Sequence, residues 1–402
     1  FAPRIGIAYQ VRPKTIVRMG YGRSFDIGVF GSIFGHSVTQ NLPVLASQEE
    51  RGAQSWLRAF TLAAGPPSPT FVTVPPSGLF PQPDGVASFV QPLKMRMPTI
   101  DAWNLTVQHQ ITPTMSAEVG YVGNKGTHAF AGDGPDYNCN QATIVGFPTV
   151  SQNARKPFFS RFGWTQNLRC HNNDASNNYH ALQAKMEKRL SRGFQFLAHY
   201  TWAKGLNYDG DYYVIDPKVN YGPNSFDRAH IFVLTNLWQL PFGRGKRFLS
   251  DASGIADRII GGWEINSTTS VYSGIPFSPS YANGGADRDT GPGRPNRVGS
   301  VAITGDRNRW FTTATATLGT NDPNIDDDDD HCTNPPAAGG TSGPWQRPLC
   351  GTFGTASRNS LRGPGLFQTD LALFKNTKIT ETVNVQFRVE IFNVFNKVNL
   401  GQ

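Results

Sequence analysis

The sequence of 402 residues contains no long hydrophobic run. A helix that crosses a bilayer needs about 20 mainly apolar residues, so a transmembrane helix is excluded. A membrane β-barrel is not excluded, because it places apolar residues at every second position and leaves only a weak hydropathy signal. Charged residues are also scarce, at 16% against about 25% in average soluble domains.

Positive charge is present in excess but is not clustered. The net charge is +8, yet lysine and arginine are scattered along the chain, as Arg4, Lys14 and Arg18 near the start and Lys185 and Arg192 far downstream illustrate. A nucleic-acid-binding protein more often concentrates them on one helix or patch. No nucleic-acid partner is predicted.

Motifs for catalysis or metal binding are lacking. The eight histidines are dispersed, and no CxxC pair occurs. One acidic run has the carboxylate oxygens that bind Ca²⁺, but we favour a solvated acidic loop for it. This run, a weak calcium candidate, comprises Asp326, Asp327, Asp328, Asp329 and Asp330. The sequence therefore predicts no enzyme, no cofactor and no metal site.

The chain has only four cysteines, Cys139, Cys170, Cys332 and Cys350. All lie in polar stretches rich in Gly, Pro and Asn, and none falls in a predicted strand. Their order suggests two local disulfides, Cys139–Cys170 and Cys332–Cys350, out of three possible connectivities. Disulfides in loops indicate an oxidising compartment.

What the sequence does contain is a long two-faced hairpin at residues 179–206. On its first arm Leu182, Ala184 and Met186 alternate with polar residues, and the second arm alternates in the same way after Ser191-Arg192-Gly193. Period-2 alternation predicts strands, and the three residues predict a tight turn. A strand in a soluble sheet has about 5–6 residues, whereas one that crosses a bilayer needs about 9–11. Lys188 falls on the apolar face and fits only if it reaches the membrane interface.

About ten such strands are predicted, joined by short and long connections in strict alternation. The short connections are 12–14, 112–114, 191–193, 241–261 (with one short helical turn) and 379–381; the long ones are 26–98, 127–178, 207–227 and 275–365. The last strand is predicted to run to Val398, and the strand before the 241–261 connection to begin at Arg228. Short turns on one rim and long loops on the other are typical of an outer-membrane barrel, unlike the evenly spaced turns of a soluble sandwich. The predicted fold class is all-β, an antiparallel transmembrane β-barrel.

Polar side chains recur on the second face of each strand, which indicates a water-filled lumen. By facing alone, the candidates for substrate binding are Asn104, Gln108, Glu118, Gln183, Lys185, Glu187, Asn384, Arg388 and Glu390. Aromatic residues near the strand ends predict interfacial girdles; they are Tyr21, Trp103, Tyr121, Trp202, Trp238 and Trp263.

Several strand motifs resemble the C-terminal half of the barrel of TonB-dependent outer-membrane receptors. The resemblance is to the Oar-like branch, whose members carry a carboxypeptidase-regulatory-like domain. The matching pieces are PRIGIAYQVRPKTIVRMGYGRSFD (3–26), WNLTVQHQITPTMSAEVGYVGNKGTH (103–128), NYHALQAKMEKRLSRGFQFLAHYTWAKGL (178–206), FDRAHIFVLTNLWQLPFGRGKRF (226–248), GGWEINSTTSVYSGIPF (261–277) and FQTDLALFKNTKITETVNVQFRVEIFNVFN (367–396).

The resemblance implies a 22-stranded barrel that is plugged by an N-terminal domain. Contact with TonB would then drive the energised uptake of a substrate through this barrel. Residues 1–402 would then be a partial outer-membrane barrel domain from which the plug domain and the final strand are absent. The expected partners are outer-membrane lipid, the TonB complex through the missing plug region, and an unidentified extracellular substrate. The expected location is the bacterial outer membrane, with the long loops extracellular.

Two other classes of function stay open. A surface adhesin or partner-binding barrel would use the long loops without transport, and a soluble secreted β protein would carry polar residues on both faces. A geometric expectation separates a partial barrel from a small closed one. Ten strands of a larger barrel form a curved open sheet with unpaired edges at residues 4–10 and 383–398, whereas in a closed barrel these two strands pair.

Overall fold

The computed structural model describes most of the chain. The described residues are 1–26, 39–42, 44–45, 58–68, 73, 75–78, 82–91, 93–94, 96–130, 137–145, 150–208, 213–280, 293–306, 309–311, 341–342, 344–346, 348 and 353–400.

Ten long strands form one antiparallel sheet in which each strand pairs with its neighbour in the chain. The strands are β1 (Arg4–Arg12), β2 (Thr15–Phe25), β3 (Thr99–Thr112), β4 (Met115–Ala129), β5 (Ala175–Ser191), β6 (Phe194–Tyr208), β7 (His230–Gln239), β8 (Trp263–Tyr272), β9 (Leu366–Lys378) and β10 (Asn384–Ile391). This meander confirms the predicted fold class.

The remaining elements are short. The helices are α1 (Phe159–Phe162) and α2 (Gly254–Ile260), with 3₁₀ turns at Asn153–Arg155 and Pro217–Asn220. The short strands are Ser88–Val90, Tyr137–Asn138, Leu168–Cys170, Tyr221–Pro223, Pro276–Phe277, Asn296–Arg297, Ile303–Asp306, Arg309–Phe311, Thr341–Ser342, Trp345–Gln346 and Leu361–Arg362. Within the described ranges, no helix has the length and apolar character to cross a membrane.

The sheet is open. β1 and β10 lie at its two ends, and no pairing joins them within the described residues. Their apolar side chains are uncovered, as the exposures of Ile7 (51%) and Phe387 (59%) show. The expectation of unpaired edges is therefore confirmed.

Connections alternate between short turns at one end of the sheet, the turn end, and long segments at the other, the loop end. The hairpin between β5 and β6 turns at Arg192 and Gly193, whose φ angles are 52° and 77°. Two left-handed residues are what the tightest hairpin turns require, because their twist matches that of the strands. The connector after β7 is longer and holds α2, the helical turn that the sequence predicted there.

The register separates an apolar face from a polar face, because directly paired residues point to the same side of a sheet. Val107 pairs with Val17 and Val119 in one row. The adjacent residue Gln108 pairs with Glu118, which pairs in turn with Lys185. One side of the sheet is thus mainly aliphatic and aromatic, and the other is mainly hydrophilic.

Several predicted strand boundaries are wrong. β4 continues to Ala129 and β5 begins at Ala175, inside the predicted connection 127–178, because the two strands go on pairing there, Gly126 with Asn177 and Ala129 with Ala175. β10 ends at Ile391 rather than Val398, because Asn393 and Asn396 take left-handed conformations with φ of 50° and 48°. β7 begins at His230 rather than Arg228, whose guanidinium instead donates to Ser273 O at 2.8 Å.

The expectation that no cysteine lies in a strand is also wrong. Cys170 ends the short strand Leu168–Cys170, which pairs in parallel with Ser88–Val90. Three residues are too few for alternation to show in a sequence, and their strand partner lies far away in the chain.

Candidate functional site

The register places all nine candidate lumen residues on the polar face, in two groups that are far apart in the sheet. The first group, on β3, β4 and β5, comprises Asn104, Gln108, Glu118, Gln183, Lys185 and Glu187. The second group, on β10, comprises Asn384, Arg388 and Glu390. Strands β6 to β9 lie between them, so the sheet brings each group together but not the two groups with each other.

Four members of the first group, Gln108, Glu118, Lys185 and Glu187, form a ladder of compensated charge with Arg18 near the turn end. Arg18 Nη1 donates to Gln108 Oε1 at 2.8 Å and lies 3.8 Å from Glu118, while Lys185 and Glu187 are 3.0 Å apart. Sequence reasoning left out Arg18, although its position in the alternation of β2 placed it on this face. Such exposed ion pairs each contribute about 0–1 kcal/mol to the free energy of unfolding. The ladder therefore adds little stability to the sheet, and its main effect is to make the lumen surface hydrophilic.

The second group lies at the free edge of the sheet. Arg388 is 3.3 Å from Glu390 and stacks over the ring of Phe374 at 4.6 Å. Asn384 pairs with Lys378 in the register. These side chains are exposed because no strand covers this edge within the described residues.

A disulfide-linked lobe covers part of the loop end. Cys139 and Cys170 form a disulfide with their Cα atoms 5.8 Å apart, whereas Cys332 and Cys350 lie outside the described residues. The lobe is built on the three-stranded sheet of Ser88–Val90, Leu168–Cys170 and Tyr137–Asn138. Its small apolar core consists of Tyr137, Leu168, Cys170 and Ala175, and Ala175 begins β5. The lobe is therefore fixed to the barrel strand by packing as well as by its short connection.

Tyr137, in the core of this lobe, has a strongly perturbed pKa. Burial raises the pKa of Tyr137 to about 12, and the charge of Asp174 acts in the same direction. The hydroxyl donates to Asp174 Oδ2 at 2.9 Å and accepts from Asn172 Nδ2 at 3.1 Å. The phenol is held neutral at physiological pH and serves as a hydrogen-bonding part of the core.

Arginine side chains fasten the other long loops. Arg362 forms an ion pair with Asp227, whose carboxylate is 3% exposed and also accepts from Gly205 N at 2.8 Å. Arg358 donates to the backbone oxygens of Asn207 and Asn220 at 2.8 and 3.1 Å. These contacts tie residues distant in the chain to the ends of β6 and β7.

Arg294 lies in the same region and is buried. Burial, followed by the charge of Arg358, lowers the pKa of Arg294 to about 10. Its guanidinium donates to Val219 O and to Asn220 Oδ1. The guanidinium therefore stays charged at neutral pH and cross-links two segments of the loop end.

No group of three or more His, Cys, Asp or Glu side chains that could hold a metal ion occurs in the part of the chain that the structure describes. The weak calcium candidates Asp326, Asp327, Asp328, Asp329 and Asp330 lie outside that part.

All six predicted girdle aromatics lie on the apolar face, at two levels. Tyr21, Trp103, Tyr121 and Trp202 are toward the loop end, and Trp238 and Trp263 are toward the turn end. Histidines that sequence reasoning had treated as dispersed join the upper level. His180 Nδ1 is 2.6 Å from Tyr121 Oη, and His230 Nδ1 is 2.9 Å from Tyr200 Oη.

These features match a known class of protein. Residues 1–402 match the family described as the outer membrane beta barrel domain, and the chain belongs to this family. The protein is accordingly located in the outer membrane, with its apolar face toward lipid, its polar face toward the lumen, its turn end periplasmic and its loop end extracellular.

Solved structures with a similar arrangement are outer-membrane receptors and transporters. They include the ferric-catecholate import receptor Fiu from Escherichia coli K12 (8% identity, TM-score 0.38, 98% of this chain and 30% of that chain). The outer membrane transporter YddB from Escherichia coli (10%, 0.44, 98% and 37%) and the FrpB iron transporter from Neisseria meningitidis (9%, 0.42, 98% and 35%) are also similar. The chain spans about a third of the length of these structures. No curated protein matches it.

Proposed function

We propose that the protein forms part of the wall of a TonB-dependent outer-membrane transporter of the Oar-like branch. The open ten-stranded sheet carries this proposal. Barrel diameter grows with strand number: about eight strands leave room only for side chains or one small ligand, whereas 22-stranded outer-membrane transporters enclose a plugged lumen. Ten strands that leave both edges free, with one hydrated face, fit a section of such a wide barrel.

In this function the polar face contacts substrate and plug, and no covalent chemistry takes place. The nine lumen candidates supply hydrogen bonds and compensated charges, and the extracellular loops supply specificity. A plug region preceding this section would contact the TonB complex. The motifs of the Oar-like resemblance occupy all ten long strands, β1 to β10, so the resemblance rests on the barrel wall itself.

Cross-linking tests the wide barrel. Cysteines introduced by Ile7→Cys on β1 and Phe387→Cys on β10 should not join on oxidation in membranes, because these strands are opposite edges of the section. The matched pair Ile7→Cys and Met19→Cys should join, since the two positions face each other across β1 and β2. Both pairs lie on the lipid face. Efficient joining of the first pair would identify a small closed barrel and reject the proposal.

Contact with TonB tests the energised step. In cells that make the protein from its complete gene, a photo-cross-linker in the periplasmic end of TonB should yield an adduct with it, as it does with another TonB-dependent receptor of the same cells. An adduct with that control receptor but none with this protein would reject energised transport.

A second function, adhesion or partner binding without transport, is favoured by the aromatic surface of the disulfide-linked lobe. Phe162 is 41% exposed, stacks on Trp164 at 4.6 Å and is covered by the Arg161 guanidinium at 5.0 Å. If adhesion is the function, Phe162→Ser should reduce cell attachment while TonB cross-linking stays absent. Unchanged attachment would reject it.

A further inference from the structure

A cavity opens on the polar face just below the loop end, and none of the nine lumen candidates lines it. Its volume is ≈ 430 Å³, within the usual range of about 300–1,000 Å³ for small-molecule sites. The upper parts of β4, β5 and β6 and the segment that leads into β7 form its walls.

Amide side chains dominate the polar lining. Asn177 Oδ1 accepts from Gly126 N at 3.1 Å, and Asn224 Oδ1 accepts from Phe226 N at 3.3 Å. These bonds orient both amides and leave their Nδ2 groups without a partner among the described residues. The amide of Asn124 has no such partner on either atom. The cavity thus presents fixed N–H donors beside a free amide that can both donate and accept.

The charged side chains of the lining are engaged elsewhere. The Asp227 carboxylate is 3% exposed and is held by Arg362 and Gly205 N. The Arg228 guanidinium donates to Ser273 O at 2.8 Å and lies over the ring of Tyr272 at 5.5 Å. Neither charge is positioned as the main contact for an ionic ligand.

Aromatic rings complete the lining. Tyr179 lies on the polar face of β5, and Phe226, which is 76% exposed, stands at the rim. An aromatic ring packs against the C–H face of a pyranose, and amides pair with its neighbouring hydroxyls, since an amide matches a hydroxyl both as donor and as acceptor. We propose that this cavity binds a neutral saccharide. The inference that a saccharide is the transported substrate rests on the proposed function, whereas the inference that the cavity binds a saccharide does not.

Binding is measured on the purified full chain in lauryldimethylamine oxide, because maltoside detergents would compete for the cavity. Isothermal titration uses neutral oligosaccharides of glucose, galactose, mannose and xylose, with oligogalacturonate as the anionic probe. At least one neutral probe should bind more tightly than the anionic one. Asn124→Ala should weaken that binding about tenfold or more, equivalent to about 1.4 kcal/mol, and Phe226→Ala should also weaken it.

The matched control is Gln195→Ala, an exposed amide on the polar face of β6 outside the cavity and outside the nine lumen candidates, which should change the affinity less than twofold. The side chain of Asn124 makes no hydrogen bond to another described residue, and alanine keeps the backbone pairing of Asn124 with Ala102 and Tyr179, so the replacement should leave the fold intact. Absence of binding by every neutral probe, preference for the anionic probe, or equal loss in Gln195→Ala would overturn the inference. A TonB adduct without saccharide binding rejects only this inference, and saccharide binding without an adduct rejects only the transporter.

Discussion

The assignment of the two faces predicts a large difference between neighbouring positions on β3. Val107 is on the apolar face and 42% exposed, and Thr106 points to the lumen. Val107 lies five positions before the strand end at Thr112. With a rise of about 3.4 Å per residue and a tilt of about 35–45°, it stands about 13 Å above the turn. This height is the middle of an apolar band about 25 Å tall.

Val107→Arg should therefore reduce the free energy of unfolding by about 2–4 kcal/mol, the cost of an arginine at the bilayer midplane. Ile111→Arg, one position from the strand end on the same face, should cost about 0–1 kcal/mol, the cost near an interface. The measurement is guanidinium unfolding of the full chain in phospholipid vesicles, followed by tryptophan fluorescence.

Thr106→Arg is the control, because it adds the same side chain one residue away on the hydrated face, where Gly120 opposite leaves room. The cost of Thr106→Arg in the free energy of unfolding should be no larger than that of Ile111→Arg, about 0–1 kcal/mol. A cost for Thr106→Arg equal to that for Val107→Arg would refute the assignment of the faces. No difference between Val107→Arg and Ile111→Arg would refute the placement of β3 in the membrane.

Three further predictions concern the loop end. Cys139→Ala should raise the protease sensitivity of the lobe, since a disulfide that closes a loop of 31 residues in sequence separation stabilises by about 3–4 kcal/mol; equal cleavage with and without it would contradict this. Asp227→Ala should speed hydrogen exchange near Gly205 roughly 5- to 150-fold, as expected for the loss of about 1–3 kcal/mol, with Asp251→Ala, an exposed aspartate, as the unaffected control. The pKa of Tyr137 is raised to about 12 from its usual value of 10.0, so its stabilising effect is complete below pH 10 and is lost as the pH rises to about 12. Tyr137→Phe should remove this alkaline loss of stability from the melting curves of the lobe. An unchanged loss in the variant would show that another group causes it.

The wall of the barrel was predictable because its physical signal is local and repeated. Alternation along β5 and β6 gave the faces of Gln183 and Ala184 directly, since a strand has a period of two. The ends of strands were less predictable. Asn393 interrupts β10 through its own left-handed backbone and a bond from its N–H to Asp370 Oδ1 at 2.9 Å, and the alternation of apolar residues beyond it gives no sign of this.

The candidate site at the extracellular end was not predictable from the sequence. Asn124, Asn177 and Asn224 come from three separate segments, and only the pairing of β4, β5 and β6 brings them to one cavity. The ion pair of Asp227 with Arg362 spans 135 residues of the chain. Contacts of this kind are set by tertiary structure, and polar residues in loops carry no periodicity that would reveal them.

Polar side chains on the lipid face are hydrogen-bonded across strands, and the same requirement explains Lys188, the residue that fitted the sequence pattern least well. An unpaired polar group in hydrocarbon costs several kcal/mol, and the wall avoids this by pairing them across strands, as in Asn236 Nδ2 to Ser267 Oγ at 2.7 Å and Thr269 to Thr369 at 3.0 Å.

Lys188 applies the same rule at the edge of the membrane. Its ammonium donates to Ser191 O at 3.0 Å and Phe194 O at 2.6 Å, and it lies 5.4 Å from the centre of the Phe194 ring. Lys375 repeats the arrangement on β9, donating to Gly261 O at 2.5 Å beside the ring of Trp263. Each lysine caps backbone oxygens of a periplasmic turn beside an aromatic ring. This geometry recurs on two separate hairpins. These lysines therefore mark the level at which the periplasmic interface begins, and their charges do not lie unpaired in the hydrocarbon core.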